Sequence, residues 1–273
     1  MNSREAAARV TRQLASAGIE DAAFEAEYLV RTAAGISRAQ YFAGNALNET
    51  DCARLTEIVA RRLTREPAAY IAGEREFYGL ALEVSVDVLL PRPETELLVD
   101  LAIKEADGLS APVIIDVGTG SGAVAIATSL KLPGAIVVGT DVSERALAVA
   151  ARNRTRHGSS AQLMVANLLA PFRRADIVLA NLPYIPTDEV KGLEPEVRDW
   201  EPIVALDGGA DGLELVRSLV DDCAGRLRPR LLALEIGFGQ SRAVQAYCQS
   251  RGATTEIVPD LAGIERVVCA RWA

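Results

Sequence analysis

Five continuous apolar runs, PVIIDV, AIVVGTD, QLMV, DIVLAN and LLALEI, follow one another between residues 112 and 236, with segments of helical character between them. A strand with one wet face alternates apolar and polar residues, so runs this unbroken predict strands covered on both faces. Parallel neighbours cannot be joined by tight turns and need crossovers, which the intervening helices supply. The pattern predicts an α/β fold with a mostly parallel sheet and helices on both sides. Beyond it, TEIVP and ERVVCARW flank the short DLAGI segment and predict a hairpin that completes a seven-stranded sheet.

The chain before this region has a different period. Leu55, Ile58, Val59 and Leu63 recur at helical spacing after Thr50, a candidate cap, and Pro67 stops the run. Phe24, Tyr28 and Leu29 form an apolar stripe between Asp21 and Gly35, predicting a small helical bundle. From Leu80 the apolar residues alternate through Leu82, Val84 and Val86, as in a strand turning back near Gly79. The expected organisation is a helical domain over 1–75, a hairpin linker over 76–92 and an α/β domain over 93–273.

Charge and composition remove several function classes. With 29 basic and 37 acidic side chains the net charge is -8, and no dense Lys/Arg tract occurs. Stable binding to bulk nucleic acid by phosphate neutralisation is not expected. No stretch of about 18 apolar residues is present and the first residues lack a secretory apolar core, so the expectation is a cytoplasmic chain without a membrane role. Cys52, Cys223, Cys248 and Cys269 lack CxxC spacing and His157 is the single histidine, lying in a polar loop. No metal site is expected, and the thiols are read as reduced.

Two segments carry chemistry. PVIIDV runs into DVGTGSGAVAIA, where glycines let the backbone approach a ligand at a helix N-terminus. Asp141 ends the next strand, where a carboxylate can accept both ribose hydroxyls of a nucleoside. Gly118, Gly120 and Ala123 also satisfy the dinucleotide pattern GxGxxG/A. Asp116 and Gly122 favour S-adenosylmethionine instead, because a carboxylate beneath the loop suits a cofactor with a cationic end. The second segment is DIVLANLPYIP. Asn181 leaves the fourth strand of the sheet, next to the first, so it emerges beside the glycine loop. An amide or exocyclic amine nitrogen is a weak nucleophile, since its lone pair is delocalised. The Asn181 side-chain oxygen and the Leu182 carbonyl can grip its two N–H groups and aim the lone pair at a methyl donor, with Pro183 stiffening the turn and Tyr184 packing on the flat acceptor. Holding both partners in line removes much of the entropic barrier. The bland alternative is that Asn181 only caps a turn.

On these residues the chain resembles the HemK/PrmC protein-(glutamine-N5) methyltransferases of peptide chain release factors. The most specific match is REPAAYIAGEREFYGLALEVSVDVLLPRPETELLVD, residues 65 to 100, and matches continue through DVGTGSG, GTDVSERALAVA, NLPYIP, EVRDWEP, LEIGFGQ and DLAGIERVV. The resemblance implies a class I, Rossmann-like S-adenosylmethionine-dependent methyltransferase domain. Its implied acceptor is the glutamine of a Gly-Gly-Gln loop in a class 1 release factor, docked by the N-terminal helices. It further implies that Asp116, Gly118, Thr119, Gly120, Ser121, Gly122 and Asp141 hold the cofactor, with Asn167 and Leu168 near its adenine. Asn181, Leu182, Pro183 and Tyr184 would hold the glutamine amide, with Asn181 also touching the cofactor, and Arg92, Pro93, Glu94 and Thr95 would stand at the mouth of the site. PRPE is equally a good helix entry. Two positions depart from the family: Leu182 replaces the first proline of NPPY, and Asn167 stands where an acid is usual. NLPY also resembles the motif of rRNA adenine dimethyltransferases, and an inactive scaffold is the third reading.

Overall fold

In the computed structural model, which describes residues 1–272, the N-terminal region folds as α1 (Ser3–Ser16), α2 (Ala22–Ala34), α3 (Arg38–Phe42), α4 (Glu49–Leu63) and α5 (Ala68–Ala72). Ala273, the last residue of the expected α/β domain, lies outside the described residues. The start of α4 is set by Asn48, not Thr50. The Asn48 side chain accepts from Asp51 N at 2.8 Å while Asp51 returns a bond to Asn48 N at 3.0 Å, a reciprocal cap that satisfies two otherwise orphaned donors. Leu55, Ile58 and Val59 are buried, whereas Leu63 at the frayed end is exposed. In α2, Leu29 is buried but Phe24 is 66% exposed. The stripe read from the sequence is therefore shifted one helical face away from Phe24. Gly35 closes α2 at φ 63°, the left-handed conformation that glycine adopts freely.

The chain divides into two units, Met1–Glu74 together with Pro195–Trp200, and Arg75–Glu194 together with the rest from Glu201. The short helix α9 (Pro195–Arg198) thus belongs to the helical unit although it lies more than a hundred residues downstream. Arg62 explains it: this buried guanidinium bonds Glu25 at 2.5 Å and Glu196 at 2.9 Å. A charge so deeply placed is tolerated only with such partners.

The second unit opens with a hairpin, β1 (Glu74–Phe77) and β2 (Leu80–Glu83), whose two-residue turn has Tyr78 and Gly79 both at positive φ. That is the turn type that matches the right-handed twist of paired strands. The main sheet comprises β3 (Val113–Val117), β4 (Ile136–Asp141), β5 (Gln162–Val165), β6 (Ile177–Ala180), β7 (Leu231–Glu235), β8 (Thr254–Pro259) and β9 (Glu265–Arg271), in the order β5-β4-β3-β6-β7-β9-β8. The first five strands are parallel and the last two are antiparallel, as the alternation of runs and helices predicts. α6 (Glu96–Ala106) and α7 (Ala123–Lys131) pack in the apolar layer on one face, and α10 (Glu214–Asp222) and α11 (Ser241–Ser250) in that on the other. Leu231–Glu235 is buried throughout, but QLMV is not: Met164 and Val165 are 41% and 53% exposed. β5 is an edge strand, so helices do not cover both of its faces, and the continuity of its sequence overstated its burial. His157 ends α8 (Glu144–Arg156) and its Nε2 lies 2.9 Å from Ala81 O. Cys223, Cys248 and Cys269 are buried free thiols, and burial raises the pKa of each.

Candidate active site

β3 and β6 run parallel with Val117 opposite Ala180, so the loop after one and the turn after the other leave the sheet side by side. This is the carboxyl edge at a topological switch point, where doubly wound sheets bind ligands. Gly118, Gly120 and Gly122 have φ of 75°, 54° and 83°. At Gly122 space is lacking as well: a Cβ would lie 2.8 Å from Ile126 Cδ1 and 3.1 Å from Ala150 Cβ.

Asp116 stands under this loop, 2% exposed, and one of its oxygens accepts from Thr119 Oγ1 at 2.5 Å and Ala125 N at 3.1 Å. It ties the beginning of the loop to α7. Burial raises its pKa to about 6, opposed by those two bonds. A native carboxyl titrating above its unfolded value binds its proton more tightly when folded, so its contribution to stability is present below pH ~4 and is lost as the pH rises through ~6. Relative to Asp116→Asn, the wild type is expected to lose up to about 3 kcal/mol between those limits. Denaturant titration of both proteins across this range checks it; a constant difference would contradict it.

Asp141, at the end of β4, holds the loop from the other side. Its two oxygens accept from Gly120 N and Ser143 N, each at 2.9 Å, and each retains a lone pair for a further donor. Between Asp141 and the turn after β6 opens a cavity of about 240 Å³. Gly118, Gly120, Asp141, Asn167, Leu168, Asn181, Leu182 and Pro183 all line it. Asn167 is exposed, and Leu168 holds a φ of 49°, a backbone conformation that costs a residue with a Cβ about 1–2 kcal/mol. Asp116, Thr119, Ser121 and Gly122 are buried behind this wall. The sequence reading missed Val88 and Leu89, just before PRPE, and Pro202 and Val204, just after EVRDWE, which also line the cavity. Both segments lie within or next to the motifs that carry the family resemblance, but their convergence on one wall has no local signature.

The turn itself is held from several sides. Asn181 Nδ2 donates to Thr95 Oγ1 at 3.1 Å, which leaves the amide oxygen as its free acceptor. Leu182 is 5% exposed, and its Cδ2 would meet a Cβ on Gly118 at 3.4 Å. At this position a buried apolar contact with the glycine loop takes the place of a second rigid proline. The Tyr184 carbonyl accepts from Gln240 Nε2 at 2.8 Å, while Gln240 Oε1 accepts from Gly237 N at 2.9 Å. The Tyr184 ring lies against Gly237, and its hydroxyl pKa is raised by burial and then by the charge of Glu235. Ile185 exchanges backbone bonds with Leu206 and Gly208, so the segment LDGGADGLE folds over the turn. Its DG dipeptides signal a loop, but not where that loop lands.

PRPET separates into outward and inward parts. Pro93 and Glu94 are exposed, while Thr95 is buried against Asn181. Arg92 Nη2 bonds Glu201 Oε1 at 2.6 Å, and burial raises the pKa of that carboxyl although Arg92 opposes the shift.

The chain is similar to two families of known description: residues 5–73 match the PrmC N-terminal domain, and residues 98–189 match the ribosomal protein L11 methyltransferase (PrmA). A release factor glutamine methyltransferase of Geobacter sulfurreducens is 40% identical over 264 residues, covering 94% of this chain and 92% of that protein. One from Moorella thermoacetica is 39% identical over 279 residues, covering 99% and 98%. Among solved structures, the hMettl16 catalytic domain in complex with MAT2A 3'UTR hairpin 6 superposes with a TM-score of 0.58 at 18% identity, covering 79% of this chain and 82% of that one. At that identity the likeness concerns the fold.

Proposed function

This chain belongs to the release factor glutamine methyltransferases, and from that premise we propose that the 240 Å³ cavity is where a methyl passes from S-adenosylmethionine to the side-chain amide nitrogen of a glutamine. The acceptor is the glutamine of the Gly-Gly-Gln loop of a class 1 release factor. The observation that carries the reading is the orientation of Asn181: it lines the cavity, one N–H of its amide is bonded to Thr95, and its oxygen is left as an acceptor.

S-adenosylmethionine supplies an electrophilic methyl on a sulfonium. The chain's own residues do the rest by placement. The Asn181 oxygen and the Leu182 carbonyl accept the two N–H groups of the glutamine amide, which draws the nitrogen out of conjugation and points its lone pair across the cavity. The buried Leu182 side chain and the bond from Gln240 to the Tyr184 carbonyl keep these two acceptors at a fixed spacing, so little ordering remains to be done at the moment of reaction. On the opposite wall Asp141, already oriented by Gly120 and Ser143, accepts the ribose hydroxyls. The helical N-terminal unit gives the folded factor a docking surface larger than a three-residue loop offers.

Asp141→Ala is expected to weaken S-adenosylmethionine binding by roughly 1–3 kcal/mol, since it leaves a ribose hydroxyl and two backbone donors unpaired. Calorimetric titration reads this directly, and unchanged affinity would remove Asp141 from the cofactor site. The reading as a whole is tested with labelled S-adenosylmethionine offered to an intact class 1 release factor, to the same factor lacking the Gly-Gly-Gln glutamine, and to ribosomal RNA. Label on the intact factor alone supports it. Label on RNA would assign the same clamp to adenine, and binding of cofactor without transfer would leave a scaffold.

A further inference from the structure

Asn153 joins two segments of the second unit that lie far apart along the chain. It stands near the end of α8 and is fully buried. Its Oδ1 accepts from Glu83 N at 2.7 Å, and its Nδ2 donates to Glu83 O and to Ser121 O, each at 2.9 Å. Both hydrogens of the amide are thereby used, one on the last residue of β2 and one on the glycine loop after β3. Ala150, one turn earlier in α8, is among the residues a Cβ on Gly122 would meet, so this face of the helix lies against the loop. Each of the two segments leads into the cavity wall. Ser121 follows Gly120, which lines the cavity, and four residues after Glu83 come Asp87, Val88 and Leu89, which line it as well. The step between is short and folded, with Val88 N donating to Ser85 O at 3.0 Å.

From this we infer that Asn153 is a positioning residue for S-adenosylmethionine: from behind the cavity, its one planar amide holds the glycine loop and the β1–β2 hairpin at the spacing the cofactor requires. The inference rests on the cofactor occupying the cavity beside that loop. Support of the hairpin does not account for Asn153, because the hairpin is held in other ways. Phe77 and Leu82 are buried in the apolar layer with Leu98 and Val99, and Tyr78 N donates to Glu96 Oε1 at 2.7 Å. From α8 itself, His157 Nε2 bonds Ala81 O at 2.9 Å and Arg152 Nε donates to Glu83 Oε1 at 2.7 Å. What Asn153 adds to these is the bond to Ser121 O. A backbone with glycine at every second position is otherwise free to shift, and ordering it before the cofactor arrives spares binding that cost.

The test compares wild type, Asn153→Ala and His157→Ala in the full-length chain. His157→Ala cuts a tie between α8 and the hairpin but leaves the bond to the loop in place. The readouts are calorimetric affinity for S-adenosylmethionine, amide exchange in protein without cofactor, and single-turnover rate at saturating cofactor with intact release factor. Asn153→Ala is expected to weaken cofactor binding about tenfold, to speed exchange of the Gly120 and Gly122 amides, and to keep the saturated rate within about twofold of wild type. His157→Ala should change none of the three. An Asn153 that only supports the fold would lower the melting temperature with affinity and loop exchange intact; that result, or equal weakening of the cofactor by His157→Ala, would overturn the inference. Should Asn153→Ala fail to fold, Asn153→Ser takes its place with the same expectations, since it keeps one donor but is too short to span both carbonyls. Wild type is also measured with and without cofactor. Binding that leaves the glycine-loop amides unprotected would overturn the placement of the cofactor itself, whereas protection together with unchanged affinity in Asn153→Ala overturns only the role of Asn153.

Discussion

Asn181→Ala is expected to lower the rate of methyl transfer by about two to three orders of magnitude while S-adenosylmethionine binding stays nearly unchanged. The asymmetry follows from where its contacts lie. In the proposed geometry the Asn181 oxygen faces the acceptor, while its nitrogen donates to Thr95. Removing the side chain deletes one of the two groups that strip the glutamine nitrogen of its conjugation, a contact that gains most of its value as the transition state forms. It deletes no proposed contact to the ribose, which Asp141 serves from the far wall. Single-turnover kinetics and cofactor calorimetry on the same preparation separate the two effects. Comparable losses in both would show that Asn181 supports the cofactor and not the acceptor.

Gly212→Ala is expected to be the most damaging change outside the cavity wall. Gly212 has φ 75°, and a Cβ there would lie 2.2 Å from Tyr184 O and 2.9 Å from Gln240 Nε2. The first is backbone of the acceptor turn, and the second is the side chain that pins it. Neither can give way without moving Tyr184 relative to Asn181. The backbone conformation alone costs about 1–2 kcal/mol for alanine, and overpacking adds about 1–3, so a loss of about 2–5 kcal/mol in stability with a clear fall in turnover is the expected outcome. Gly239→Ala is the matched control, with φ 81° and open space for its Cβ. It should lose only the conformational part. Denaturation midpoints and rates for both variants decide it, and equal losses would mean that crowding against the turn is not what Gly212 prevents.

Much of the fold was legible because its signals are local. β3, β4, β6 and β7 are runs of buried residues, and a run is visible in sequence whatever it packs against. Positive-φ positions in the loop after β3 are visible because they are glycines. The placement of Asn181 beside that loop followed from strand order, which the alternation of runs and helices determines. The failures share a physical cause as well. Met164 and Val165 sit on an edge strand, and nothing in their own neighbourhood distinguishes an edge from a centre. Thr50 looked like a cap, but Asn48 has the reciprocal partner three residues on. The bonds that orient the site join Thr95 to Asn181, Tyr184 to Gln240 and Arg62 to Glu196. Each spans more than fifty residues of chain and has no period, so only the folded arrangement reveals it.

The most direct measurement is the affinity of wild type and Asn181→Ala, each saturated with S-adenosylhomocysteine, for intact release factor and for a factor whose Gly-Gly-Gln glutamine is replaced by methionine. Methionine keeps the length of the side chain and removes its amide. If the turn after β6 grips that amide through both acceptors, the replacement should weaken binding to the wild type by roughly tenfold more, about the worth of one hydrogen bond, than it weakens binding to Asn181→Ala, which keeps only the Leu182 carbonyl. The same loss in both proteins would mean that Asn181 does not hold the glutamine, and the proposed geometry of transfer would be wrong.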